Sequence, residues 1–105
     1  METEKLRELT HENTREFTGD TFQIRFQDGP PIDLTLEEVE VLVEKHVNPR
    51  MERDMFAMRF RGPREPLLAQ GVYAFHHDKM GGPLPIFIVP LSTADIGALY
   101  EAVFT

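Results

Sequence analysis

The feature that most constrains this chain is an apolar alternation of period two that recurs in short blocks. Phe22, Ile24 and Phe26 alternate with Gln23, Arg25 and Gln27, and Phe56, Met58 and Phe60 alternate with Ala57, Arg59 and Arg61. Successive side chains of a strand point to opposite faces, so each block predicts a strand with one buried face. Ile32, Leu34 and Leu36 repeat the pattern with Asp33 and Thr35 outward. The phase then slips at Glu37-Glu38 before Val39 and Val41 resume it, which is what a β-bulge produces. Further strands are expected from Gly71 through Phe75 and from Leu84 to Val89. Turn and loop signals separate the blocks: Asp28-Gly29-Pro30-Pro31, the polar stretch Asn48 to Asp54, Gly62-Pro63 and Met80-Gly81-Gly82-Pro83. Arg64 to Gln70 reads as an extended connection.

Two segments stay open on periodicity. Leu36 to Val47 contains helix-favouring Glu, Leu and Lys, yet valines at 39, 41, 43 and 47 weigh toward strand. Ser92, Asp95, Ile96, Leu99, Tyr100 and Val103 fit a capped amphipathic helix, while Tyr100, Ala102 and Phe104 fit a terminal strand. Near the start, Thr10 is a plausible N-cap for a short helix anchored by Phe17 and stopped at Gly19. Six strand candidates at short spacing predict a mainly β fold: a compact antiparallel six-stranded barrel or sandwich with a short N-terminal helical turn.

The chain has 105 residues, a common size for one domain, so residues 1–105 are expected to form a single β domain on which segment 1–19 packs. It contains no cysteine, which removes disulfides, thiolate metal sites and cysteine nucleophiles. The N-terminal residues lack the apolar run of a signal peptide, and no stretch is long enough to span a bilayer, so a soluble cytoplasmic protein is expected. A net charge of −7 argues against nucleic acid or an anionic membrane as partner.

Certain runs carry a resemblance. Phe60-Arg61-Gly62-Pro63, Gln70-Gly71-Val72-Tyr73 with His76 or His77, Ile86-Phe87-Ile88-Val89-Pro90 and Tyr100-Glu101-Ala102-Val103-Phe104 resemble a family of small bacterial all-β domains of unknown function. Leu9-Thr10, Gly19 and Phe22 match its opening pattern, and coverage is nearly the whole chain. One departure is Thr14, where the family usually has a large apolar residue. The resemblance implies a strand for the last segment, and a setting beside phage-tail-collar-like fibre proteins. Its motifs are structural rather than catalytic.

No constellation of reactive residues emerges. Ser92 is the only serine and lacks the Gly-x-Ser-x-Gly elbow; no phosphate-cradling glycine loop is present. His76 and His77 would point to opposite strand faces, and His11 and His46 have no ligand spacing to them, so no metal, cofactor or catalytic residue is expected. Glu37, Glu38, Glu40 and Glu44 read as a solvated acidic face, and Arg50, Arg53, Arg59, Arg61 and Arg64 as its balancing cluster or a recognition patch for an acidic partner.

The strand from Leu84 to Val89 is apolar on both faces. With Leu84, Ile86 and Ile88 inward, Phe87 and Val89 face out, either under the N-terminal segment or as a contact surface. The expectation is therefore a non-enzymatic interaction or structural module, an accessory or assembly partner of a fibre-like protein. Its contacts, to a protein partner or in self-association, would run through Phe87 and Val89 with Arg59 and Arg61 as polar partners. The alternative is a small-ligand-binding β-barrel with its site near Tyr73, His76 and Glu101.

Overall fold

The computed structural model describes residues 3–94 and 97–105. Two short helices, α1 (Thr3–Glu8) and α2 (His11–Arg15), precede six strands: β1 (Thr21–Ile24), β2 (Ile32–Val43), β3 (Met55–Gly62), β4 (Gly71–His77), β5 (Gly81–Ala94) and β6 (Gly97–Phe104). All pairings are antiparallel, and the order β1-β2-β3-β6-β5-β4 closes on itself as a barrel. Closure removes the exposed edges that an open sheet of this size would present.

The inward halves of the alternating blocks make the core. Phe22, Ile24, Leu34, Leu36, Phe56, Met58, Phe60, Phe75, Leu84, Ile88 and Tyr100 are completely buried. Phe60 lies edge-on to Phe22 at 5.3 Å and 5.2 Å from Phe75, the offset geometry aromatic rings prefer. A six-stranded barrel filled in this way has a packed interior rather than a ligand cavity.

Leu36 to Val47 is strand as far as Val43, followed by a single 3-10 turn over Lys45–Val47. The valines decide it: Val39, Val41 and Val43 pair with Met58, Phe56 and Met55 of β3. The expected bulge is present, since the register shifts between Leu36 and Glu38. The last segment is strand β6, paired with both β3 and β5. Asp95 and Ile96, invoked in the helical reading, lie outside the described residues.

Two expectations need correction. β1 ends at Ile24, and Phe26 is not core: it is partly exposed and sits edge-on to Tyr73 at 6.1 Å. The ladder stops because Pro30 and Pro31, on the opposing side, have no N–H to pair. β5 begins at Gly81, so the hairpin turn is Asp78 to Met80 and not Met80 to Pro83. His77 causes the earlier closure, because its Nδ1 accepts the backbone N–H groups of Lys79 and Met80 at 3.1 and 3.2 Å. The connection from Arg64 to Gln70 holds no helix or strand, in keeping with its reading as an extended link. It crosses one end of the barrel and buries Leu68, whose N–H donates to the Tyr100 hydroxyl at 2.9 Å.

The helices close the opposite end. Thr10 caps α2 in a capping box with Asn13, and the buried Thr14 hydroxyl donates to the Thr10 carbonyl at 2.7 Å. A hydroxyl satisfied inside the helix accounts for a polar residue where a large apolar one was expected. Leu9 is buried, and Leu6 and Phe17 pack on the core from this end.

The closing seam is the shortest. β1 and β4 pair only at Gln23↔His76 and Ile24↔Phe75, continued by the Arg25 N–H to the Ala74 carbonyl at 3.2 Å. Local opening follows the fewest backbone bonds. Amides along this seam, Arg25 among them, are expected to exchange hydrogen about tenfold or more faster than those shared by β3 and β6. Equal protection throughout would show that the barrel opens only as a whole.

Candidate functional site

The outward residues of β4, β5 and β6 form an apolar strip. Phe87 is 49% exposed and pairs across the sheet with Val72, which is 63% exposed. Val89 is half-buried beside Glu101, and Val103 stands two residues further along the same outward face of β6. Leu91, also exposed, falls where the register shifts between Pro90 and Ser92. The N-terminal helices leave this strip uncovered, because they rest on the barrel end near Met80 and the inward Leu84. Val72 and Val103 extend the surface beyond Phe87 and Val89. Their exposure follows from alternation, but their place beside Phe87 follows from pairings distant in sequence.

The strip borders an ion-pair network on β2, β3 and β6. The Arg59 guanidinium meets Glu38 and Glu40 at 2.7 Å each and Glu101 at 3.0 Å. Those carboxylates, Glu40 and Glu38 foremost, hold its pKa above the ordinary arginine value against the opposing effect of desolvation. Arg61 meets Glu37 at 2.8 Å. Both arginines are therefore engaged within the chain. With three carboxylates around one guanidinium, the margin of the strip keeps a negative sign. The structure places Phe87 and Val89 on β5 and Arg59 on β3, on either side of β6 and linked through its Glu101, and it sets Arg61 one outward position further along β3.

The histidines form a separate group. His77 is buried between Phe22 at 4.5 Å and Phe17 at 4.8 Å. Its Nδ1 receives two backbone N–H groups, so Nε2 carries the proton and donates to Asp20 Oδ2 at 2.9 Å. Both ring nitrogens are thus engaged within the chain. His76 lines a polar groove with Gln23, Arg25 and Asp33; partial burial, and then Arg25, push its pKa down. Among the described residues, no group of three or more His, Asp or Glu is placed to hold a metal. Tyr73, His76 and Glu101 stand apart: Tyr73 donates its hydroxyl to the Ala69 carbonyl, and Glu101 sits in the Arg59 network.

Fold and surface together define a small closed β-barrel whose distinguishing features are on its exterior. The chain belongs to a family described as a domain of unknown function, DUF6916, whose model matches residues 9–104. No curated protein and no solved structure matches the chain.

Proposed function

We propose that this domain is a non-enzymatic assembly module that docks a partner protein through the outer face of β4, β5 and β6. The observation that carries this reading is the uncovered strip of Val72, Phe87, Val89 and Val103 beside an acidic margin. An apolar centre with a charged rim is the usual anatomy of a protein interface. The margin favours a partner with basic residues around an apolar patch. A fibre-like protein of the phage-tail-collar type is the partner class that the family resemblance suggests, and the module would act as its accessory or assembly factor in the cytoplasm.

Phe87→Asp tests the reading. The substitution replaces an exposed ring at a paired strand position, so the barrel is expected to stay folded with a midpoint within about 5 °C of the wild type. Complex formation with a co-expressed fibre partner, or self-association seen by light scattering, is expected to be lost. Unfolding of the variant would make Phe87 a core residue. An unchanged complex would move the interface elsewhere.

A further inference from the structure

The end of the barrel crossed by segment 63–70 carries a groove of about 620 Å³, within the roughly 300–1,000 Å³ typical of ligand sites. It lies away from the β4-β5-β6 strip and owes nothing to the assembly face argued above. Its walls are Pro30 and Pro31 from the β1–β2 turn and Pro63 and Pro66 from the crossing segment, with Phe26 and Leu68 supplying further apolar surface. Proline has a fixed φ and no N–H. These walls are therefore stiff before a ligand arrives, which lowers the entropy lost on binding. They also present backbone carbonyls without the matching donors.

The charged side chains in the lining are Asp28, Asp33 and Glu65, and no Lys or Arg lines the groove. Asp33 accepts a hydrogen bond from the Gln23 amide at 3.3 Å. Ionised carboxylates only accept, so the charged side chains of the groove are all acceptors. A complementary ligand brings donors, positive charge and an apolar portion. Phe26 adds an exposed ring over which a guanidinium can rest.

We propose that this groove docks a short extended peptide segment of a partner protein, in which arginine or lysine flanks an apolar residue. The apolar residue meets the proline walls and Leu68, and the flanking cations meet Asp28, Asp33 and Glu65. An extended peptide of this composition suits a rigid, apolar groove whose charged side chains are acceptors, because its cationic side chains and backbone N–H groups supply the donors.

A degenerate octapeptide array, probed with the ¹⁵N-labelled protein and followed by spectra of the protein with its best binder, tests the proposal. Binders are expected to be enriched in Arg or Lys beside Leu, Ile or Pro. Chemical-shift changes are expected at the amides of Asp28, Gly29, Ile32, Asp33, Glu65 and Leu68 and not at Phe87 or Val103. The double variant Asp28→Asn with Glu65→Gln alters two exposed side chains, so its midpoint should hold while affinity falls about fivefold. Spermine serves as a control for bare cation binding. Acidic or charge-independent binders, no binding above background, shifts confined to the β4-β5-β6 face, or spermine matching the peptide in shifts and affinity would each overturn it.

Discussion

Gly97→Ala is expected to destabilise the barrel by at least about 3 kcal/mol, lowering the thermal midpoint by roughly 12 °C or more. Two effects combine at this position. Gly97 has φ +126°, a conformation that L side chains rarely adopt. A Cβ there would also lie 2.3 Å from the carbonyl oxygen of Gly62 on β3, a separation no real contact tolerates. The obstructing atom is backbone in a paired strand, so it cannot rotate aside. Gly29→Ala separates the two effects. Gly29 has a similar φ of +122°, but nothing lies within 4 Å of the point its Cβ would occupy. It should cost only the backbone strain, about 1–2 kcal/mol. Equal losses for the two variants would show that the close approach of β3 and β6 contributes nothing.

That close approach also shows where sequence reasoning stops. Local alternation is enough to assign Phe22, Ile24, Leu34, Leu36, Phe56, Met58, Phe60, Ile86 and Ile88 to one buried face, and all are at most 1% exposed. It locates the bulge at Glu37-Glu38, because a phase slip is a property of neighbouring residues. Closure is different in kind. The pairings Ile24↔Phe75 and Arg59↔Glu101 join residues far apart in the chain, and period-two patterns carry no information on which strand is whose neighbour. The outward position of Phe87 is therefore legible, while the company of Val72, Val103 and Glu101 is not. By sequence, Arg59 and Arg61 are free to meet a partner or to balance nearby glutamates. The structure gives them Glu37, Glu38, Glu40 and Glu101, the last of which arrives only through β6. The hairpin turn before β5 is misplaced by sequence because glycine and proline dominate its signal. The bond pattern of a histidine side chain, invisible to propensity, sets where it closes.

Arg53 is the second position of large expected effect, and it too is ordinary as sequence. It stands in the polar loop before β3, where an arginine would usually be solvated. Its Nη1 instead donates to the carbonyls of Leu6, Arg7 and Leu9, at 2.7 Å for Leu6, and its Nε to the carbonyl of Thr105 at 3.1 Å. The last carbonyls of a helix have no partner within it, so this guanidinium completes the end of α1. The same group lies 5.6 Å from the ring of Phe56 and 5.8 Å from that of Phe104, which stack on each other at 5.0 Å. One side chain thus joins the N-terminal helix, the C-terminal residue and the aromatic end of the core. Burial pulls its pKa down, against the raising effect of Glu52. Arg53→Ala is expected to cost about 2–4 kcal/mol in urea unfolding, since it removes a charged donor from the part-buried carbonyls of Leu6 and Leu9 and the cation from both rings. Arg53→Lys keeps the charge but not the planar fork, and should recover less than half of the loss. Hydrogen exchange should show α1 detaching in both variants before the barrel opens. Full rescue by lysine would mean that charge alone holds the two termini, and a loss under about 0.5 kcal/mol for alanine would mean that the clamp is not needed at all.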